Sequence, residues 1–310
     1  MLRHKSILSL LSKTLSSWSE DNAFRLSAAL AYYAVFSLAP LLIIVIAIAG
    51  AVFGADAARG EVMAQIEGLI GTAGAEAIQG LLQNAARPDA ISIASAIGLV
   101  SLLFGATGVF ASLQDGLDTI WRVKPKPQNM VIGFLRQRLH TFTLVLGIGF
   151  LLLTSLVVSA ALAAFGKYFG DSFGPAWVWQ WVNIAVSLGI VTILFGMMFK
   201  LLPDVYISWN VVWVGAVVTA VLFTLGKLLI GLYLGRSSFT SVYGAAGSVV
   251  LILAWVYYSS LILFLGAEFT RVYADQYGRG IVPKPNAVPM TPEQCAEQGL
   301  EPRSDSQKAA

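Results

Sequence analysis

The run SVYGAAGSVVLILAWVYYSSLILFLGAEFTRVY (241–273) decides the fold. From Gly244 to Gly266 it holds no charged residue. As a helix rising about 1.5 Å per residue, that length crosses a hydrocarbon core about 30 Å thick. Gly244 and Gly247 open the run, Trp255, Tyr257 and Tyr258 lie along it, and Glu268 and Arg271 close it. Hydrocarbon offers a backbone no hydrogen bonds, so such a run must be helical. It reads as a membrane span.

Upstream lies a second apolar run, Val211 to Leu234, interrupted by Lys227. A tight turn at Leu202, Pro203 and Asp204 joins it to another at 182–200, which makes these two spans antiparallel neighbours. Ala185, Gly189, Thr192 and Gly196 give the 182–200 span a face of small residues. The run 141–165 precedes it, across an aromatic-rich linker of the kind found at a membrane boundary. The span at 91–113 shows the clearest pattern: Ala94, Gly98, Ser101, Gly105, Gly108 and Ser112 step by four and three. Such a stripe lets helices approach closely in lipid. The first span, 26–53, follows the candidate N-caps Asp21 and Asn22 and contains Pro40.

These runs predict an all-α membrane domain over 26–273, with six transmembrane helices, the last at 244–270. The polar connection 54–90 carries two short amphipathic helices, marked by Val62, Ile66 and Ile78, that would cover the outer end. Residues 1–25 form an amphipathic segment, and Ser6, Ser9, Ser12 and Lys13 interrupt any leader-like apolar run. Ile7, Leu11, Leu15 and Trp18 share one helix face, which suits either the membrane surface or packing on the other helices. The tail 274–310 is rich in proline and polar residues and reads as disordered. Fifteen lysines and arginines fall on the side of the termini and four on the other. That bias places both termini in the cytoplasm and 54–90 in the periplasm.

Composition supports the same reading. The chain is 57% hydrophobic and 12% charged, with a mean hydropathy of +0.74. A soluble domain carries about 25% charged residues. A net charge of +3 is too small to argue for nucleic acid. The single cysteine, Cys295, excludes an intramolecular disulfide. His4 and His140 are the only histidines, so no multi-histidine metal centre can be built. Motifs for phosphate cradling, serine hydrolysis or zinc are missing, so no cofactor, metal or catalytic residue is expected. The chain is not read as an enzyme.

Four polar residues are candidates for a polar pathway. Lys227 lies within a span, where a charge must snorkel, pair or serve a function. Asp115 and Asp118, three apart, share a helix face at the end of the 91–113 span. Glu268 stands near Arg271 on its own helix. The alternative for the acids is a cytoplasmic ring of ion pairs. Pro40, Gly244 and Gly247 are candidate helix bends, and the small residues are packing positions.

The runs AALAYYAVFSLAPLL (28–42), GVFASLQDGLDTIW (108–121), LLPDVYISW (201–209) and the opening stretch resemble the YihY/BrkB family of bacterial inner-membrane proteins. The resemblance covers roughly residues 15–275. It implies a multi-pass inner-membrane protein of six spans with both termini inside, and a family without an established activity. Asp118 departs from the family's pattern, which has Asn there. Some members have carried a ribonuclease BN-like label. Two histidines cannot supply a two-metal nuclease site, and the basic loop 122–138 is explained by orientation and anionic lipid. Two functions are then weighed: a transporter or exporter of an envelope-related or amphiphilic substrate, and a non-catalytic scaffold or envelope-integrity factor. Membrane lipids are the expected partners, with envelope proteins as further candidates and no nucleic acid.

Overall fold

The computed structural model describes residues 2–54, parts of 56–80, and 108–126, 176–236, 247–278 and 281–300. In chain order these form α1 (Leu2–Glu20), α2 (Ala23–Phe53), the helical stretch α3 (108–120) and β1 (Val123–Pro125). Then come α4 (Ala176–Leu201), β2 (Val205–Tyr206), α5 (Trp209–Arg236) and α6 (Gly247–Tyr277). The chain closes with β3 (Val282–Pro283), β4 (Ala287–Pro289) and α7 (Pro292–Glu297). Most of spans 91–113 and all of 141–165 lie outside the described residues, as do Ala94, Gly98, Ser101, Gly105 and Gly244.

Among the described residues, three helices are long and apolar enough to cross a membrane: Ile184–Leu201, Trp209–Gly231 and Val249–Tyr277. Where the sequence places the first span, α2 runs 31 residues and passes unbroken through Pro40. Gly247 is the first residue of α6. That helix is central, packing against α1, α2 and α5, while α4 packs on α5. Phe264 and Ala267 of α6 are fully buried with Leu117 and Ile120 of α3, Phe199 of α4 and Val212 of α5. On the outside of α5, Trp213, Val217, Val221, Leu225 and Leu228 stand exposed in a row. An apolar row on the outside and a packed core within suit a lipid-facing helix.

The α5–α6 contact is reciprocal. A Cβ added at Gly215 would collide with Thr270, and one added at Gly266 would collide with Thr219. Each threonine also donates its hydroxyl to the carbonyl of the glycine four residues earlier on its own helix, at 2.7 Å. Both hydroxyls are thereby satisfied without water, as a lipid-embedded contact requires. The small-residue faces read from the sequence are only partly used in this way. Gly108 receives the Tyr33 ring, and Gly196 sits 3.6 Å from the Ala216 Cβ. Ala185 and Gly189, higher on α4, are exposed instead.

At the other end, Ile78 packs with Leu42 and Ile252, flanked by Val62, Met63 and Ile66.

Three expectations are corrected. The described residues of the tail, 274–278 and 281–300, are structured: α6 continues to Tyr277, and 281–300 return to the bundle. β4 pairs antiparallel with β1 (Val123↔Pro289), and β3 with β2 (Val205↔Pro283). Its prolines punctuate structure rather than prevent it. Pro285 occupies the second position of a turn closed by Ala287 N–H to Lys284 O at 2.9 Å, and Pro292 opens α7. Thr291 and Gln294 then form a reciprocal cap.

Second, of the two alternatives for the α1 face of Leu11 and Leu15, packing on the other helices does not hold, since both are exposed. The face that meets the protein is Leu10, Thr14 and partly Trp18, against Phe269 and Val272 of α6. Third, Asn22 takes the N-cap position of α2 in a left-handed conformation (φ 53°) but makes no side-chain cap. Its amide instead donates to Gly299 O at 2.7 Å.

Candidate functional site

The last turns of α3 carry Gly116, Leu117, Asp118 and Ile120 against the core. Gly116 is there because the Phe264 ring occupies the space of a side chain, with Cζ 2.6 Å from where a Cβ would stand. This packing turns Asp118 inward, 4% exposed, while Asp115 stays at the surface. Residues three apart differ by about 60° around a helix, which suffices to separate them at a boundary. The structure therefore pairs Asp118 not with Asp115 but with the Leu202–Asp204 turn. Its carboxylate accepts the Asp204 backbone N–H at 2.7 Å.

Burial pushes the Asp118 carboxyl up to about 8. The Asp204 N–H opposes that shift, the Asp204 carboxylate adds to it, Lys284 opposes it, and Asp115 adds to it. Lys284 arrives from the C-terminal segment: its backbone N–H donates to Asp204 O at 2.9 Å and its ammonium reaches Leu201 O at 3.3 Å. Burial lowers the lysine's pKa against the pull of Asp204 and Asp118. A neutral Asp118 is the form that burial favours.

Glu268, fully buried, accepts Arg271 Nε at 2.9 Å, and Arg271 Nη1 reaches Asp275 at 2.9 Å. On the α1–α2 side Arg122 pairs with Asp21 at 2.8 Å. Arg122 also holds a left-handed backbone (φ 51°), and its carbonyl accepts Met290 N–H at 2.9 Å. Arg25 donates to Gln298 O at 2.8 Å. The C-terminal segment thus fastens both left-handed turns, at Asn22 and at Arg122.

Lys227 is not part of this group. It is half-buried on α5, beside exposed Leu228 and Leu229. The contacts of Thr219 with Gly266 and of Gly215 with Thr270 put Glu268 level with the early turns of α5. Lys227 lies about 12–15 Å further along by helical rise. Asp21, Arg122, Asp204, Asp275 and Lys284 complete the charged end. Their common signal is a position beside a helix end or turn.

At the same end two adjoining cavities open where α5 begins and α6 finishes. The larger, about 440 Å³, is lined by Ser208, Asn210, Val211, Tyr273, Tyr277 and Gly278. The smaller, about 150 Å³, shares Ser208, Val211 and Gly278 with it and continues beneath Tyr206, Ile281 and Val282. Neither is lined by Lys227, Asp115, Asp118 or Glu268. Trp209, Trp213 and Tyr206 are exposed nearby, and the Lys200 ammonium lies 5.4 Å from the Trp209 ring centre. Such aromatic groups collect at membrane–water boundaries.

Comparison with known proteins agrees with this picture. A UPF0761 membrane protein of Stenotrophomonas maltophilia (strain R551-3) is 27% identical over 260 residues, 82% of this chain and 58% of the relative. One from Pseudoalteromonas translucida is 26% identical over 252 residues, 80% of each chain. A third, from Tolumonas auensis, is 26% identical over 185 residues and is covered to 58% of its length. The chain thus spans 58% of the length of several of these relatives. No solved structure matches it. The family model described as "Virulence factor BrkB" matches residues 14–291, and the chain belongs to that family of membrane proteins.

Proposed function

We propose that this protein takes up an amphiphilic molecule at the cytoplasmic leaflet of the bacterial inner membrane and carries it across. The observation that carries the reading is the 440 Å³ cavity between the start of α5 and the end of α6. Its volume falls in the range of ligand sites, about 300–1,000 Å³. Ser208, Asn210 and Tyr277 supply polar groups beside the apolar Val211. An amphiphile has that division of character, and the neighbouring tryptophans suit the depth of a lipid headgroup. Transport without a nucleotide-binding loop would draw on an ion gradient or a partner.

Six crossings with both ends inside are part of this reading. Support comes from which points of the chain meet. Residues 22–25, 122–126, 201–206 and 282–299 are tied together at one end by the hydrogen bonds and strand pairs described above. On the proposed reading each intervening stretch leaves that end and returns, which would make an even number of crossings for each.

The test is reconstitution in vesicles carrying a headgroup-labelled phospholipid, with a quencher that reaches only the outer leaflet. Protein-dependent loss of the protected signal, slowed by Asn210→Leu, is expected. Unchanged protection across a panel of envelope lipids and amphiphiles would sink the transport reading.

The scaffold reading has one observation in its favour: Glu268, Arg271, Asp275, Asp21 and Arg122 all enter ion pairs. It requires that Lys227→Ala and Asp115→Ala leave envelope phenotypes intact while Gly266→Leu abolishes them. Transport would make Asn210→Leu as damaging as Gly266→Leu without loss of folded protein.

A further inference from the structure

The surface of α1 divides into three sectors. Leu10, Thr14 and Trp18 span roughly 80° at 3.6 residues per turn, and Leu10 and Thr14 are 7% and 3% exposed against α6. Leu8, Leu11 and Leu15 fall in the next 60° or so and are 68%, 47% and 56% exposed. Ser12, Lys13 and Ser16 fill a third sector and are also exposed. Protein, exposed apolar and polar faces thus follow one another around the helix. A helix resting on the bundle in water needs the first and third sectors only. The second needs an apolar medium at the same depth as the polar face needs water.

That combination describes a helix lying in a membrane interface. We propose that α1 is seated in the cytoplasmic leaflet, with Leu8, Leu11 and Leu15 among the acyl chains. Two further observations choose lipid over a protein partner. The apolar sector continues onto the bundle through Trp18 and the half-exposed Phe24, whose rings lie 4.6 Å apart. Residues 1–20 also carry Arg3, Lys5 and Lys13 against the single acid Glu20, which complements an anionic surface. Burial of three leucines against acyl chains holds α1 flat, and Phe269 and Val272 of α6 fix its height. This assignment stands whether or not the protein transports anything.

The experiment uses the full chain in nanodiscs of phosphatidylethanolamine and phosphatidylglycerol. Spin labels are placed through Leu8→Cys, Leu11→Cys, Leu15→Cys, Ser12→Cys, Lys13→Cys and Ser16→Cys, each in a Cys295→Ser background. Collision with oxygen and with a water-soluble nickel chelate is read at each site. Labels replacing the three leucines should favour oxygen several-fold over those at Ser12, Lys13 and Ser16. Equal chelate access at all six sites would overturn the proposal. Exclusion of both reagents from the leucine sites would overturn it too, in favour of a covering protein or second copy. Thermal unfolding of each labelled variant confirms that the comparison is made on folded protein.

Discussion

Asp118 is held by one hydrogen bond from the Asp204 backbone and lies among charges that oppose one another. Its carboxyl titrates near 8, against 3.8 for an unburied aspartate. Between those values the folded protein keeps a proton that the unfolded chain has released. Stability from this group is complete below about pH 4 and falls as pH rises, by about 1.4 kcal/mol per pH unit, until about pH 8. Asp118→Asn keeps an acceptor oxygen for the Asp204 N–H and has no proton to lose. Thermal unfolding in detergent across the window should therefore flatten in the variant relative to the parent, and parallel pH profiles would refute the assignment. Arg271 presents a different balance. Arg271→Ala removes a hydrogen-bonded partner from the fully buried Glu268 and should cost about 3–5 kcal/mol. Asp275, 39% exposed at its side chain, can be changed to Asn at a cost below about 1 kcal/mol. Denaturation in mixed micelles measures both, and equal losses would contradict the burial argument.

For the elements, apolar length and small residues say different things. Apolar length located α4, α5 and α6 to within a few residues at most ends, because lipid permits only one backbone solution for such runs. Small residues were a poorer guide to contact, since a helix face of glycine is equally compatible with lipid and with a neighbour. The stripe on α4 is buried at Thr192 and Gly196 but exposed at Ala185 and Gly189. The closest approach instead rests on two glycine–threonine pairs, Gly215 with Thr219 and Gly266 with Thr270, each of four-residue spacing and each inconspicuous alone. Only their meeting across the interface gives them meaning, and a single chain without its pairing does not reveal that. Gly266→Ala should therefore destabilise by about 1–3 kcal/mol through overpacking against Thr219. Gly189→Ala should be neutral or stabilise by about 0.5–1 kcal/mol, since among the described residues it meets no neighbour and it removes backbone freedom. Unfolding midpoints for the two variants in one detergent make the comparison. A tolerated Gly266→Ala would mean that α5 and α6 are further apart than described.

At the scale of the whole molecule, the C-terminal segment closes what the helices leave open. Proline content made 274–310 resemble an unstructured tail, yet the order of that segment depends on partners far away in the chain, Val205 of β2 for Pro283 and Val123 of β1 for Pro289. Local composition carries no record of such partners. Ala287, Cys295 and Leu300 are 4%, 7% and 3% exposed, and Lys284 links the segment to Asp204 beneath Asp118. The same segment supports the left-handed turns at Asn22 and Arg122, conformations that cost a non-glycine residue of order 1 kcal/mol each. It therefore binds the start of α2, the end of α3 and the α4–α5 turn into one unit, and its release should loosen all three together. Cys295 reports on this directly, being the only cysteine in the chain. In the folded protein a maleimide should modify it many-fold more slowly than in denaturant. Arg25→Ala with Asn22→Ala, which removes the bonds to Gln298 and Gly299, should raise its rate before the helices unfold. A free-thiol rate in the native parent would show that the segment is detached, and a variant rate rising only with global unfolding would show that these two bonds are not what holds it.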